Sequence, residues 1–143
     1  MGEAVSAARR GLIATLVVPN DFQWAPCEDE QVLSGPAATH DRPDEEALMA
    51  AARLLRFHGD KAALIVGKRA LRREGLLLAA RIKAATGCSI ITDTFPGFVD
   101  RGPDLPEVIR LPYFPEPALQ VLGPFKGVVL AGMKDPVTFF DNP

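Results

Sequence analysis

The placement of proline constrains this chain more than any other feature. Residues 44–95 contain no proline, whereas the other 91 of the 143 residues contain all 13. Because proline breaks helix interiors, regular helices are expected inside that window. An amphipathic helix is predicted over residues 44–57, with its first residue as the N-cap and Gly59 ending it. A second helix is predicted over residues 72–86, ending at glycine.

Short apolar runs alternate with these helices. Strands are predicted at residues 62–66, 88–92, 107–111 and 127–131, with a short helix at 117–122. Such alternation favours right-handed crossovers and a parallel sheet covered on both faces. The predicted fold class is α/β, with a Rossmann-like doubly wound parallel sheet. In this fold the strands at 62–66 and 127–131 are neighbours, and the strand order reverses between them.

Charge and proline content divide the chain into three parts. Residues 21–46 carry eight acidic side chains and one basic one. The Pro/Gly-rich part of this stretch, residues 25–43, is predicted to be an acidic linker. Residues 1–24 are interpreted as the tail of a preceding domain, a helix end followed by a strand at 12–18. Residues 44–143 are interpreted as a central Rossmann-like domain, truncated at its C-terminus.

Composition excludes several classes of protein. The net charge of −2 argues against nucleic-acid binding, as does the fact that only one aromatic residue, Phe57, is near the bases and is expected on the apolar face of its helix. No apolar stretch approaches the roughly 20 residues of a membrane span, and no signal peptide is recognisable. Cys27 and Cys88 are too far apart for a CxxC site, so both thiols are expected to be free. The chain is therefore predicted to be cytoplasmic.

The doubly wound fold points to one candidate ligand crevice. Gly67, Lys68, Arg69 and Gly132 follow the two strands at which the order reverses, and ligands bind outside the carboxyl ends of such strands. Lys68 and Arg69 are candidates for holding a nucleotide diphosphate beside the next helix. The turn matches neither GxGxxG nor the P-loop, so a strand-to-helix turn with solvated bases is the alternative.

No catalytic or metal-binding residues are predicted. The serines lack the G-x-S-x-G context of an exposed nucleophile. His40 and His58 have no further ligand at metal-binding spacing. Asp93 and Asp135 follow predicted strands, where a single aspartate is typical of turns and caps.

Six segments carry a family resemblance. They are ATLVVPNDFQW at residues 14–24, LIVGKRAL at 64–71, AARIKAATG at 79–87, DTFP at 93–96, RLPY at 110–113 and DPVTFF at 135–140. In order and spacing these resemble the acetolactate synthase large subunit group of thiamine diphosphate-dependent enzymes. The first resembles the end of the pyrimidine-binding domain, and the others resemble the first two-thirds of the central domain.

The resemblance implies a parent enzyme that decarboxylates and ligates 2-oxo acids with thiamine diphosphate and magnesium. Its activating glutamate and its Gly-Asp-Gly…Asn motif are not found here, the nearest string being HGDK at residues 58–61. This chain alone is thus expected to be inactive and to hold no cofactor. Its implied partners are the missing pyrimidine- and diphosphate-binding domains.

The family's central domain binds FAD in some members and is structural in others. The turn at residues 67–69 lacks the glycine run expected of flavin-binding members, which argues against FAD. A structural role is the leading hypothesis, and a stand-alone nucleotide- or FAD-binding module is the alternative. The family's six-stranded order would leave residues 127–131 as an apolar edge. We expect residues 12–18 or a second chain, in a homo-oligomer, to pair there.

Overall fold

The computed structural model describes residues 2–9, 12–26 and 42–136. The chain divides into two compact units, Met1–Arg42 and Pro43–Pro143. Most of the predicted linker, including Cys27 and His40, lies outside the described residues, as does most of the segment at 135–140.

The first unit contains two short helices, α1 (Gly2–Arg9) and α2 (Asn20–Trp24). Residues 12–19 have no regular secondary structure, so the strand predicted at 12–18 is wrong. The described part of this unit offers only helices, and a single strand cannot satisfy its backbone hydrogen bonds alone. The pairing of residues 12–18, or of a second chain, with residues 127–131 stays a prediction.

The second unit alternates helices and strands as predicted. In chain order it contains α3 (Glu45–His58), β1 (Ala62–Val66), α4 (Arg73–Thr86), β2 (Ser89–Thr92), β3 (Ile109–Arg110), α5 (Pro115–Leu122) and β4 (Gly127–Ala131). The four strands form one parallel sheet in the order β3-β2-β1-β4. The α/β Rossmann-like prediction is confirmed, including the pairing of β1 with β4 and the reversal of order between them.

Alternate residues of the central strands enter two cores. Leu64, Val66 and Ile90 face a cluster that includes Leu55 of α3 and Leu76 of α4. On the opposite face, residues 63, 65 and 91 pack with partly buried apolar residues that include Val121 and Leu122 of α5. All five residues of β1 are buried. Helices thus cover both faces of the sheet, as a parallel sheet requires.

Local signals set the helix boundaries. The carboxylate of Asp44 accepts a hydrogen bond from the Glu46 amide at 3.2 Å and caps α3. Gly59, with φ of 54°, ends the same helix, and Gly87, with φ of 81°, ends α4 in the left-handed conformation. These ends agree with the sequence prediction.

Two apolar residues of α3 are more exposed than their position on the helix predicts. Leu48 lies on the same helical stripe as Leu55 but is 52% exposed, and Phe57 is 84% exposed. Leu55 is buried and Leu54 packs against its cluster. Because the packing is concentrated around these two residues, helical periodicity overstates how much of α3 is covered.

Candidate functional site

The turn after β1 brings the two predicted glycines together. The Gly67 amide donates a hydrogen bond to the Ala131 carbonyl oxygen at 3.0 Å, and Gly67 itself is buried. A Cβ built on Gly67 would lie 2.7 Å from the Met133 Cβ. A Cβ built on Gly132, whose φ is +74°, would lie 2.8 Å from the Gly67 oxygen. The crevice at the switch point is therefore tightly filled, and both positions require glycine.

The two predicted basic residues lie next to this contact. Lys68 and Arg69 begin a 3-10 turn, Lys68–Leu71, and both are exposed. Lys68 has a φ of +48°, which is uncommon for a residue with a side chain. The structure thus brings all four predicted site residues to the carboxyl end of the β1–β4 pair.

The N-terminus of α4 already carries a carboxylate from the loop after β2. Asp100 Oδ2 accepts a hydrogen bond from the Arg73 amide at 2.8 Å, and its Oδ1 accepts from Arg72 Nη1 at 3.4 Å. The Arg72 guanidinium also lies 3.5 Å from the ring centroid of Phe98. Asp100 thereby occupies the position at which a helix N-terminus would bind an external anion.

A second carboxylate of the same loop also binds α4. Arg73 Nη1 donates to Asp104 Oδ1 at 3.0 Å, and Nη2 contacts the other carboxylate oxygen. This hydrogen bonding, with the attraction between the charges, lowers the pKa of Asp104 below its ordinary value and raises the pKa of Arg73. Both acids are therefore engaged by the first residues of the helix.

The aspartates that follow the strands show no catalytic grouping. Asp93 Oδ1 accepts a hydrogen bond from the Phe95 amide at 2.6 Å, which closes an Asx turn, as the sequence predicted. Asp135 is exposed. Among the residues that the structure describes, no group of three or more His, Cys, Asp or Glu side chains could hold a metal ion.

A cavity that the sequence did not predict lies at the end of β2. Thr92 is 2% exposed, and its hydroxyl has no hydrogen-bond partner within the described residues. It lines a cavity of about 200 Å³ together with Val99, Arg101, Val108 and Arg110. Sequence reasoning missed these residues. The available signal was a single hydroxyl ending an apolar strand, with one arginine in the middle of an otherwise acidic, proline-rich loop and a second just after it.

Comparison with known proteins supports the family resemblance. The chain is 39% identical over 142 residues to a Mycobacterium tuberculosis protein named "Putative acetolactate synthase large subunit IlvX". This alignment covers 98% of the chain but only 27% of the relative. No family model matches the chain, and no solved structure matches it. Within the described residues, no helix is long and apolar enough to cross a membrane.

The resemblance to the acetolactate synthase large subunit group is thus confirmed at the level of sequence. The four-stranded parallel sheet is consistent with a domain of a thiamine diphosphate-dependent enzyme. The chain spans about a quarter of the length of the relative that it matches.

Proposed function

We propose that this chain is a central-domain segment of an acetolactate synthase-like, thiamine diphosphate-dependent enzyme and that its role is structural. In the parent enzyme, which we place in the cytoplasm, the reaction would be decarboxylation and carboligation of 2-oxo acids. The observation that carries the proposal is the 39% identity over 98% of the chain. The chain would supply a packed scaffold, and other parts of the enzyme would supply the reacting groups.

The filled crevice supports a scaffold over a nucleotide-binding module. The Gly67 amide, which would face a phosphate in such a module, is hydrogen-bonded to the Ala131 carbonyl. The Cβ of Met133 packs directly over Gly67. A nucleotide diphosphate at the N-terminus of α4 would also have to displace the carboxylate of Asp100. Lys68 and Arg69 remain the candidate ligands of the alternative, which these contacts disfavour.

The residues present do not fit thiamine diphosphate or its magnesium ion. The nearest match to the family's metal-binding motif contains Asp60, which lies in the 3-10 turn Gly59–Lys61 immediately before β1. This turn is at the amino end of the strand, whereas ligands of doubly wound sheets bind beyond the carboxyl ends. We propose that the cofactor of the parent enzyme is held by its pyrimidine- and diphosphate-binding domains.

We propose that a partner strand pairs with the outer edge of β4. Within the described sheet β4 pairs only with β1, and its side chains Val128 and Leu130 are 43% and 36% exposed. An uncovered apolar strand exposes amide and carbonyl groups that favour pairing with another strand. A further part of the parent enzyme, or a second copy of this chain, would complete the sheet there.

Titration with nucleotides tests the proposed role against the alternative. FAD and ADP are titrated into the protein by calorimetry, and the visible absorption spectrum of the purified protein is recorded. A structural segment gives no saturable heat and no flavin absorption. Micromolar binding that is lost in Lys68→Ala and Arg69→Ala would establish the nucleotide-binding module instead. The variant Arg53→Ala, on the exposed surface of α3, is a matched control for the loss of one positive charge.

A further inference from the structure

The hydroxyl of Thr92 is the one buried polar side-chain atom without a hydrogen-bond partner in the described residues. Thr92 is the last residue of β2, on the same face of the sheet as Ile90, and it is 2% exposed. A buried hydroxyl without a partner is costly, because it loses its hydrogen bonds to water and gains none in return. Thr92 is one of the residues that line the cavity at the end of β2.

Two guanidinium groups line the same cavity. Arg110 is the register partner of Thr92 across the parallel β2–β3 pair, so both side chains project from the same face of the sheet. Arg101 comes from the loop that joins these strands. Within the described residues neither arginine forms an ion pair. The cavity therefore combines one hydroxyl and two positive charges without a carboxylate to neutralise them.

The acidic residues of the intervening loop are largely engaged elsewhere. Asp100 binds Arg72 and the N-terminus of α4, and Asp104 binds Arg73. Asp93 is used in its own turn. Glu107 remains. It lines an adjoining depression, which shares Arg101 and two valines with the cavity, but it is not among the residues that line the cavity itself. Arg101 and Arg110 are thus the charged side chains on the wall of the cavity.

We propose that Thr92, Arg101 and Arg110 form a binding site for a small oxyanion, such as the phosphate or carboxylate group of a small molecule. Paired guanidinium groups bind such anions through charge-assisted hydrogen bonds, and a hydroxyl can donate a further one. The volume of about 200 Å³ suits a small anion better than a nucleotide. Val99 and Val108 supply apolar walls beside these groups. The site shares no residue with the crevice at Gly67 and Gly132.

Calorimetric titration of the full chain tests this site. Inorganic phosphate and sodium acetate are titrated separately at constant ionic strength in a chloride buffer, so that the two anion classes are distinguished. Saturable binding of either anion with one site per chain is expected. Arg101→Gln and Arg110→Gln should each weaken the binding by roughly tenfold or more, as expected for loss of a charged hydrogen bond. Thr92→Val should weaken it several-fold.

Matched variants separate a specific site from general attraction to positive charge. Arg81→Gln removes a charge from the exposed surface of α4, and Lys68→Ala removes one from the predicted crevice. Both should leave the affinity unchanged. Equal weakening in all the variants, or no saturable binding of either anion, would overturn the site. Thermal melting shows whether Thr92→Val is folded, and the two exposed arginines test the site even if it is not.

The position of the bound anion gives an independent readout. In amide-resolved nuclear magnetic resonance spectra, shifts on titration should be concentrated at Thr92, Arg101 and Arg110. Shifts centred on Gly67 and Lys68 would contradict the site. Any heat from ADP or FAD that is lost in Arg101→Gln and Arg110→Gln belongs to this site, whereas heat lost in Lys68→Ala and Arg69→Ala belongs to the predicted crevice. The failure of this site and the failure of the structural role are therefore distinguishable.

Discussion

The turn after β1 and the loop after β2 leave neighbouring strands at the same edge of the sheet. They differ in whether their polar groups form hydrogen bonds within the protein. In the first, the Gly67 amide and carbonyl are both hydrogen-bonded, and Met133 packs against the glycine. In the second, the Thr92 hydroxyl has no partner within the described residues, and Thr92 lines a cavity. The turn after β1, which the sequence predicts as a ligand crevice, is therefore the region in which packing leaves less room for a ligand.

The difference follows from what each connection must accomplish. The first turn leads almost directly into α4, so the chain must pass close to the end of β4, and glycine permits this approach. The second connection must span residues 93–108 before β3, without a helix of its own. A long irregular connection packs less completely than a tight turn, and such loops often carry binding residues.

The largest effect is expected from a substitution that breaks the tight turn. Gly132→Ala should lower the free energy of unfolding by about 1–3 kcal/mol, because φ is positive there and the new Cβ would meet the Gly67 oxygen. Gly97→Ala is the matched control, since its Cβ would meet nothing within 4 Å. Chemical denaturation measures both. Equal effects of the two substitutions would show that the turn is not tightly packed.

A smaller effect is expected where the two regions are joined. Asp100→Ala should destabilise the protein by about 1 kcal/mol, because the Arg73 amide at the start of α4 loses its capping carboxylate. Glu107→Ala removes an exposed acid from the same loop and should be nearly neutral. Urea denaturation compares them. If Asp100→Ala were as mild as Glu107→Ala, the cap would contribute little to holding the loop on the helix.

Two threonines at the end of β2 and the start of the following loop allow a bonded and an unbonded hydroxyl to be compared directly. Thr94 Oγ1 donates a hydrogen bond to the Pro112 carbonyl at 3.3 Å, whereas the Thr92 hydroxyl lacks a partner in the described residues. Thr94→Val should cost about 0.5–1 kcal/mol, and Thr92→Val should be neutral or slightly stabilising. Thermal unfolding in a buffer free of phosphate and carboxylate measures both. A greater cost at Thr92 would mean that its hydroxyl is satisfied in solution.

The smallest effect is expected on acidification. The pKa of Asp104 is lowered by its hydrogen bonds to Arg73, so its contribution to stability is present above the ordinary carboxyl pKa of about 3.9. That contribution is lost as the pH falls through the lower pKa of the folded state. Melting temperatures between pH 7 and pH 2 should therefore fall more for the wild type than for Asp104→Asn. Parallel curves would show that the exposed pair adds nothing measurable.

Much of the second unit follows from local sequence signals. Asp44, Gly59 and Gly87 mark helix ends through their own conformational preferences, and the short apolar runs are long enough only for strands. Alternation of these elements then restricts the sheet to a few orders. The run at residues 12–18 has the same composition as a strand, but forming one depends on a partner strand that local sequence does not reveal.

The site was less predictable than the fold for a related reason. The glycines at 67 and 132 could be paired in advance because the doubly wound order places their strands side by side. The meeting of Thr92 with Arg101 and Arg110 depends on the path of an aperiodic loop, which no helix or strand pattern determines. The engagement of Asp100 and Asp104 by α4 has the same origin.

The strand order also has a consequence for how the protein is made. The central strand, β1, is the first strand of its sheet to leave the ribosome, and β4, which pairs Gly127 with Ala62, is the last. During synthesis one side of the most buried strand therefore stays unpaired until nearly all the described chain has emerged. Non-local pairing of this kind slows folding and leaves a nascent apolar strand open to wrong partners. The time needed to translate residues 67–131 thus sets how long that side of β1 stays unpaired.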